Sequence, residues 1–291
     1  MLIWTALITG IGLGAMYGLM ALGYHVTYAV SGTVNFAQGS TMMLGAVVCF
    51  TVWVTFGWPL ALAVVVALFT AMAWGAFVER VAVRPFVARG SNAWLMATVA
   101  LGIILDNVVL FTFGKDPRGM PPGLLTAPFV ELAGLKLQPL QLLIPVVGLG
   151  LAALLHLAFR RTMWGKALLA VVQNPSAAKL MGIDVDRVVI GAFAVSGLLA
   201  GVAGVMVAPL FTISSTMGTL FGIKAFAVAV LGGIGSPWGV VVAGLLYGVG
   251  EAMITALAGS TYTQIATFSL VIFALIARPN GLFGRMGVRK V

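Results

Sequence analysis

The nonapeptide Asn174-Pro175-Ser176-Ala177-Ala178-Lys179-Leu180-Met181-Gly182 lies at the centre of a polar, basic segment, Arg160 to Arg187, with long apolar runs on both sides. It reads as a short, well-capped helix. Asn174 suits the N-cap, Pro175 the first helical position, and Gly182 the left-handed turn that ends a helix. The segment carries Arg160, Arg161, Lys166, Lys179 and Arg187. A capped amphipathic helix between two membrane spans has little to do for the bilayer itself, so it is expected to dock on a soluble partner.

Working outward, the chain is 61% hydrophobic and 8% charged, with a mean hydropathy of +1.12. Soluble domains carry about 25% charged residues. Apolar runs of roughly one bilayer thickness, about 20 residues, recur along the whole length. They do not alternate as barrel strands do. The fold class is therefore all-α, a polytopic transmembrane helical bundle of about eight spans (seven to nine), read as one transmembrane domain over residues 1–291. The net charge of +9 forms no basic stripe and gives no nucleic-acid signal. Cys49, the single cysteine, is read as packing, with no disulfide or metal spacing available to it. Met1-Leu2-Ile3-Trp4 lacks a basic leader, so the first span is expected to be retained.

Runs begin near Ile3, Phe36, Leu60, Ala93, Leu140 and Val188. In the first, Gly10, Gly14 and Gly18 recur every fourth residue, a small-residue face for close helix packing in lipid. Gly197, Gly201 and Gly204 enrich the sixth. The third is expected to close at Glu79-Arg80, before a basic loop containing Arg84-Pro85 and Arg89-Gly90. Basic residues concentrate in 79–91, 160–187 and 278–291, which hold twelve of the sixteen. By the positive-inside rule these are cytoplasmic, and the long connection 114–139 is external. The C-terminus is then cytoplasmic and the N-terminus periplasmic. Residues 212–264 must start and finish outside, as a broken or re-entrant helix near 222–258 interrupted at Gly232-Gly233-Ile234-Gly235-Ser236-Pro237. Non-helical backbone at such depth is tolerated beside protein or a water-filled path, which points to transport.

Two polar stretches are candidates for that path. In the first, Asn35, Phe36 and Gln38 open a span, with Asn35 and Gln38 three residues apart; the competing reading is an N-cap with Gln38 bonded to a neighbouring helix. The second is Gly232, Gly233, Gly235 and Ser236, either a pathway element or a tight turn between packed helices. Asp106, Glu251, Lys224 and His25 are isolated polar groups in or near apolar runs, and each is a functional hypothesis by default; the competing reading of Asp106 and Glu251 is as interior groups paired with a basic residue or backbone. Lys224 is placed at the outer interface, where it can snorkel. His25 is read as a hydrogen-bonded packing residue. No phosphate-binding loop, nucleophile elbow or helix-spaced carboxylate pair is present, so the energy source must be a gradient or another subunit. An ion-coupled carrier or channel calls for grouped intramembrane carboxylates, whereas Asp106 and Glu251 stand in distant segments.

Asn35-Phe36-Ala37-Gln38-Gly39 followed by Met43-Leu44-Gly45-Ala46 resembles the N-terminal signature of branched-chain amino acid ABC transporter permeases of the LivH/LivM type, and is more like the LivH half. Three later stretches share the resemblance, in the family's order: Gly165-Lys166-Ala167-Leu168 through Asn174 to Leu180-Met181-Gly182-Ile183, then Leu231-Gly232-Gly233-Ile234-Gly235-Ser236 with Gly239, and Arg278-Pro279-Asn280-Gly281-Leu282-Phe283-Gly284. Leu169 departs from it, standing where the family often has arginine. The resemblance implies an importer in the bacterial inner membrane with no cofactor of its own. Its partners would be a second permease subunit (LivM-like or a second copy), two cytoplasmic ABC ATPases and a periplasmic solute-binding protein. Within the cytoplasmic loop 165–184, the residues expected at the ATPase are Gly165, Lys166, Asn174, Pro175, Ala177, Ala178, Leu180, Met181 and Gly182. Branched-chain or other hydrophobic amino acids are the implied solutes, moved by alternating access; urea, short amides and aromatic carboxylates are the alternatives.

Overall fold

The computed structural model describes residues 2–121, 130–132, 135–137, 139–278 and 280–284. Pro279 of the tail signature and the basic residues Arg285, Arg289 and Lys290 lie outside the described residues. The helices are α1 (Leu2–Ser31), α2 (Gln38–Phe50), α3 (Leu60–Val78), α4 (Arg84–Val87), α5 (Trp94–Phe113), α6 (Pro139–Arg161), α7 (Met163–Gln173), α8 (Pro175–Leu180), α9 (Val185–Val207), α10 (Met217–Gly232), α11 (Pro237–Ala258) and α12 (Ser260–Ala277). In the 114–139 connection, strands β1 (Val130–Leu132) and β2 (Leu135–Leu137) pair antiparallel, Glu131 opposite Lys136. Among the described residues, eight helical stretches are long and apolar enough to cross a bilayer, and α10 is shorter. The expected polytopic helical bundle is the architecture observed.

α2 continues through a π-helical turn at Thr51–Thr55, where its apolar run ends. One span runs further than its hydropathy suggests. α3 passes through a second such turn at Glu79–Val83 into α4, so Glu79, Arg80 and Arg84 sit on continuing helix where a loop was expected. Arg84 Nε lies 3.1 Å from Glu79 Oε1, and its Nη1 lies 3.3 Å from Asp186 Oδ2 at the start of α9.

Contacts divide the chain into two compact units, with boundaries inside α1, α6 and α10. One comprises Val26–Pro121 and Ala152–Ile223. Its centre is the packing of α2, α3 and α9 on one another. Small residues make this possible: Ala63, Ala67 and Ala71 are fully buried on α3. A Cβ on Gly45 would lie 2.8 Å from the Gly201 carbonyl oxygen, and Gly75 has no room beside Phe193 and Gly197. Close backbone approach replaces the hydrophobic driving force that lipid does not supply.

The other unit comprises Met1–His25, Pro122–Leu151 and Lys224–Val291. Here the predicted small-residue face of α1 meets α11. A Cβ on Gly14 would lie 2.7 Å from the Gly244 carbonyl oxygen, and Gly248 abuts Gly14 on the facing helix. Tyr17 packs edge-on against Tyr247, ring centroids 5.4 Å apart, just along the same seam.

Candidate functional site

The basic segment forms two helices where the sequence signalled one. α7 begins at Thr162, whose hydroxyl accepts from Gly165 N at 3.0 Å. Gly165 sits so close to the Ala158–Phe159 backbone that no Cβ fits, which lets α7 fold back on the end of α6. The capped nonapeptide folds as read. Asn174 Oδ1 accepts from Ala177 N at 3.0 Å, Pro175 opens α8, and Gly182 turns the chain with φ +82°. Asp184 then caps α9, accepting from Arg187 N at 3.1 Å.

This arrangement sorts the segment's side chains. Leu168, Val171 and Ala178 are buried with Val26 and Val30 of α1 and Val188 and Ala192 of α9. Ala178 is thus covered by the chain's own core. Lys166, Asn174, Pro175, Ala177 and Gly182 are exposed, and Leu180 and Met181 project at 88% and 82% exposure. Leu169 is exposed too, at 40%. The result is a helix whose inner face is anchored and whose outer face presents large apolar side chains.

At the first polar stretch, Asn35 and Gln38 are fully buried. Asn35 Oδ1 accepts from Ala37 N at 3.0 Å, turning the chain into α2, where Phe36 is half-buried and its N donates to Thr98 Oγ1 at 3.4 Å. Gln38 makes a reciprocal pair with α9. Its Nε2 donates to Ser196 O at 3.1 Å, and Ser196 Oγ donates to its Oε1 at 2.9 Å. The amide at the head of α2 is therefore locked to a neighbouring helix.

The second polar stretch closes the helical hairpin α10–α11. Gly232 packs on Gly239 with no space for a Cβ, Gly233 has φ +84°, and Ser236 Oγ accepts from Gly239 N at 3.2 Å to cap α11. Gly235 is exposed. The turn meets the tail: Leu282 N donates to Leu231 O at 2.7 Å, and a Cβ on Gly233 would lie 2.7 Å from Gly284 N. His25 Nδ1 donates to Ile234 O at 2.7 Å, the packing role expected of it. This break thus lies at the end of the hairpin beside residues 280–284.

The strongest electrostatic feature realises the interior pairing with a basic residue that the sequence left open for Glu251, with a partner that sequence reasoning did not identify. Lys224 does not snorkel; it is buried and forms an ion pair with buried Glu251 of α11. Glu251 also borders a cavity of about 140 Å³ with Tyr247 and Thr267. Each charge looks isolated in sequence because the hairpin that joins them intervenes. The signal available was their opposite sign on two helices flanking one turn. Among the described residues, no group of three or more His, Cys, Asp or Glu is placed to hold a metal.

Residues 6–277 match the family described as "Branched-chain amino acid transport system / permease component". This chain belongs to that family. The permease is 33% identical to the high-affinity branched-chain amino acid transport system permease protein LivH of Escherichia coli (strain K12), covering 97% of this chain and 96% of that protein. It is 34% identical to the permease protein BraD of Pseudomonas aeruginosa, over 98% of this chain and 97% of the relative. A probable branched-chain amino acid transport permease, LivH of Methanocaldococcus jannaschii, is 30% identical over 91% and 88%. Membership makes the chain a multi-pass, pore-forming permease subunit of an ABC transporter, with ATP hydrolysis on separate subunits.

Proposed function

We propose that this permease forms one half of the translocation path of an importer for branched-chain or other hydrophobic amino acids in a bacterial inner membrane. A second permease subunit completes the pore, two cytoplasmic ABC ATPases drive it, and a periplasmic binding protein delivers the solute. The observation that carries the reading is α8: an N-capped helix, anchored through Ala178, that holds Leu180 and Met181 out at 88% and 82% exposure. Exposed apolar side chains on a rigid, basic connection fit a groove on a soluble subunit. Closure of the ATPase dimer would shift α7–α8. The buried contacts of Leu168, Val171 and Ala178 with α1 and α9 would pass that shift to the spans, giving alternating access.

The orientation follows from charge: 79–91, 160–187 and the tail face the cytoplasm, and the N-terminus faces the periplasm. In this reading α10 runs inward and α11 outward, which satisfies the requirement that 212–264 start and finish outside. Asn35, Phe36 and Gln38, which fix the head of α2, are proposed pathway residues of one unit, and Gly232, Gly233, Gly235 and Ser236, which fix the ends of α10 and α11, are proposed pathway residues of the other.

The test is reconstitution with ATPase and binding protein in liposomes. Leu180→Asp is expected to abolish ATPase co-purification or solute-dependent ATP hydrolysis while the variant inserts normally. Ala178→Asp is expected also to destabilise the loop itself. Normal assembly and uptake in Leu180→Asp would refute the docking role.

A further inference from the structure

The permease reading leaves open what chemical handle on the solute the membrane path recognises. One intramembrane charge has no role in the packing described so far. Asp106 lies in the second half of α5, within a membrane span. The helices around it converge at their N-terminal ends. Gly39, at the head of α2, and Gly218, at the head of α10, touch backbone to backbone with no space for a Cβ on either. One turn before Asp106, Gly102 admits the start of α2 so closely that a Cβ there would lie 3.1 Å from Ser40 Oγ. Thr219 Oγ1 donates to Asp106 Oδ2 at 3.5 Å, and the Ser40 hydroxyl stands beside the same carboxylate.

The surroundings are thus two hydroxyls and two helix heads, with no basic side chain. Among the described residues, the ion pairs involve Glu79, Asp184, Asp186 and Glu251, and none involves Asp106. Elsewhere the protein matches its buried charges: Glu79 with Arg84, Glu251 with Lys224. A carboxylate left without a cation at membrane depth is costly. Asp106 is partly accessible and Thr219 is exposed, so a ligand can reach the carboxylate from one side.

We propose that Asp106, with the Ser40 and Thr219 hydroxyls, is a binding site for the ammonium group of the transported solute. A solute bearing an ammonium fits the arrangement, because that group replaces the missing cation. A carboxylate-only solute would be repelled by Asp106, and a neutral amide or urea would leave the charge uncompensated. Among the solute classes open to the family, the site therefore selects amino acids. This inference rests on the permease reading, but its test does not require the ATPase.

The only native cysteine, Cys49, is fully buried, so a cysteine placed at Thr219 can be followed alone. The full-length permease carrying Thr219→Cys is treated with a charged methanethiosulfonate in the presence of L-leucine, its amine analogue 3-methylbutylamine, or its acid analogue 4-methylpentanoate. Leucine and the amine are expected to slow labelling, and the acid is not. Adding Asp106→Asn should raise the leucine concentration for half-protection about tenfold or more, the scale of one charge-assisted hydrogen bond, with protection in each variant measured against that variant's own rate without ligand, since removing the neighbouring charge itself alters the thiol's reactivity. Asp106→Glu should retain preference for the amine, which keeps the experiment informative if the Asn variant folds poorly. Equal protection by acid and amine, no protection by either amine-bearing probe, or unchanged protection in Asp106→Asn would overturn the proposal. Failure of the wild-type permease to assemble with its ATPases would instead count against the importer reading and leave the labelling result intact.

Discussion

Replacing Lys224 by Met, Glu251 by Gln, and both together probes how the α10–α11 hairpin is held. The two side chains are 7% and 9% exposed and form an ion pair between the two arms. Lys224 also lies 5.9 Å from the centre of the Tyr17 ring, so the pair borders α1 as well. Removing either partner leaves a bare charge in an apolar interior, a loss of roughly 3–5 kcal/mol. At about 1.4 kcal/mol per tenfold, that lowers the folded-to-unfolded ratio by a factor of a hundred or more. Removing both leaves no charge to solvate, and Gln at 251 keeps an acceptor for neighbouring donors. The double variant is therefore expected to be more stable than either single variant, with a coupling energy of at least about 2 kcal/mol. The assay is equilibrium unfolding in mixed micelles titrated with a denaturing detergent, followed by tryptophan fluorescence. A double variant whose loss equals the sum of the single losses would show that the charges are independent and refute the reasoning.

Other expectations follow from packing and capping. Gly14→Leu pushes a side chain into the Gly244–Leu245 backbone and should destabilise the α1–α11 seam by about 1–3 kcal/mol, read as a lower midpoint in the same titration. Gln38→Leu strips both hydrogen bonds from Ser196 and should cost about 1–3 kcal/mol; Ser196→Ala in that background should add little, because the partners are already lost. Asn174→Ala removes the cap of α8 and should weaken that helix by about 1 kcal/mol, visible as faster amide exchange at 176–181 with the spans unchanged.

Much of this architecture is legible in the residues themselves. Local signals carried the capped nonapeptide, because Asn174, Pro175 and Gly182 act on their own backbone within one short helix. The every-fourth glycines of α1 announced a seam, although only the fold shows that Gly244 and Gly248 are opposite. The hairpin break followed from consecutive glycines before Pro237. What could not be read depends on contacts between distant helices. The Lys224–Glu251 and Gln38–Ser196 pairs need the register of two packed helices, and no periodicity within either segment encodes it. The extension of α3 past Glu79 was hidden because hydropathy falls where the helix itself does not end. α7 escaped notice because its apolar residues merge with the run before it, and only Gly165 marks the fold-back. At Asp106 the charge was visible, but the hydroxyls beside it arrive from α2 and α10.

The hydrogen bond from Leu282 N to Leu231 O has a bearing on biogenesis. A ribosome making this chain releases the α10–α11 turn well before the segment that completes it. Until α12 has threaded the bilayer, Leu231 lacks its donor and Gly233 lacks its neighbour at Gly284. A nascent chain arrested inside α12 is therefore expected to leave that turn without its last hydrogen bond and its covering backbone.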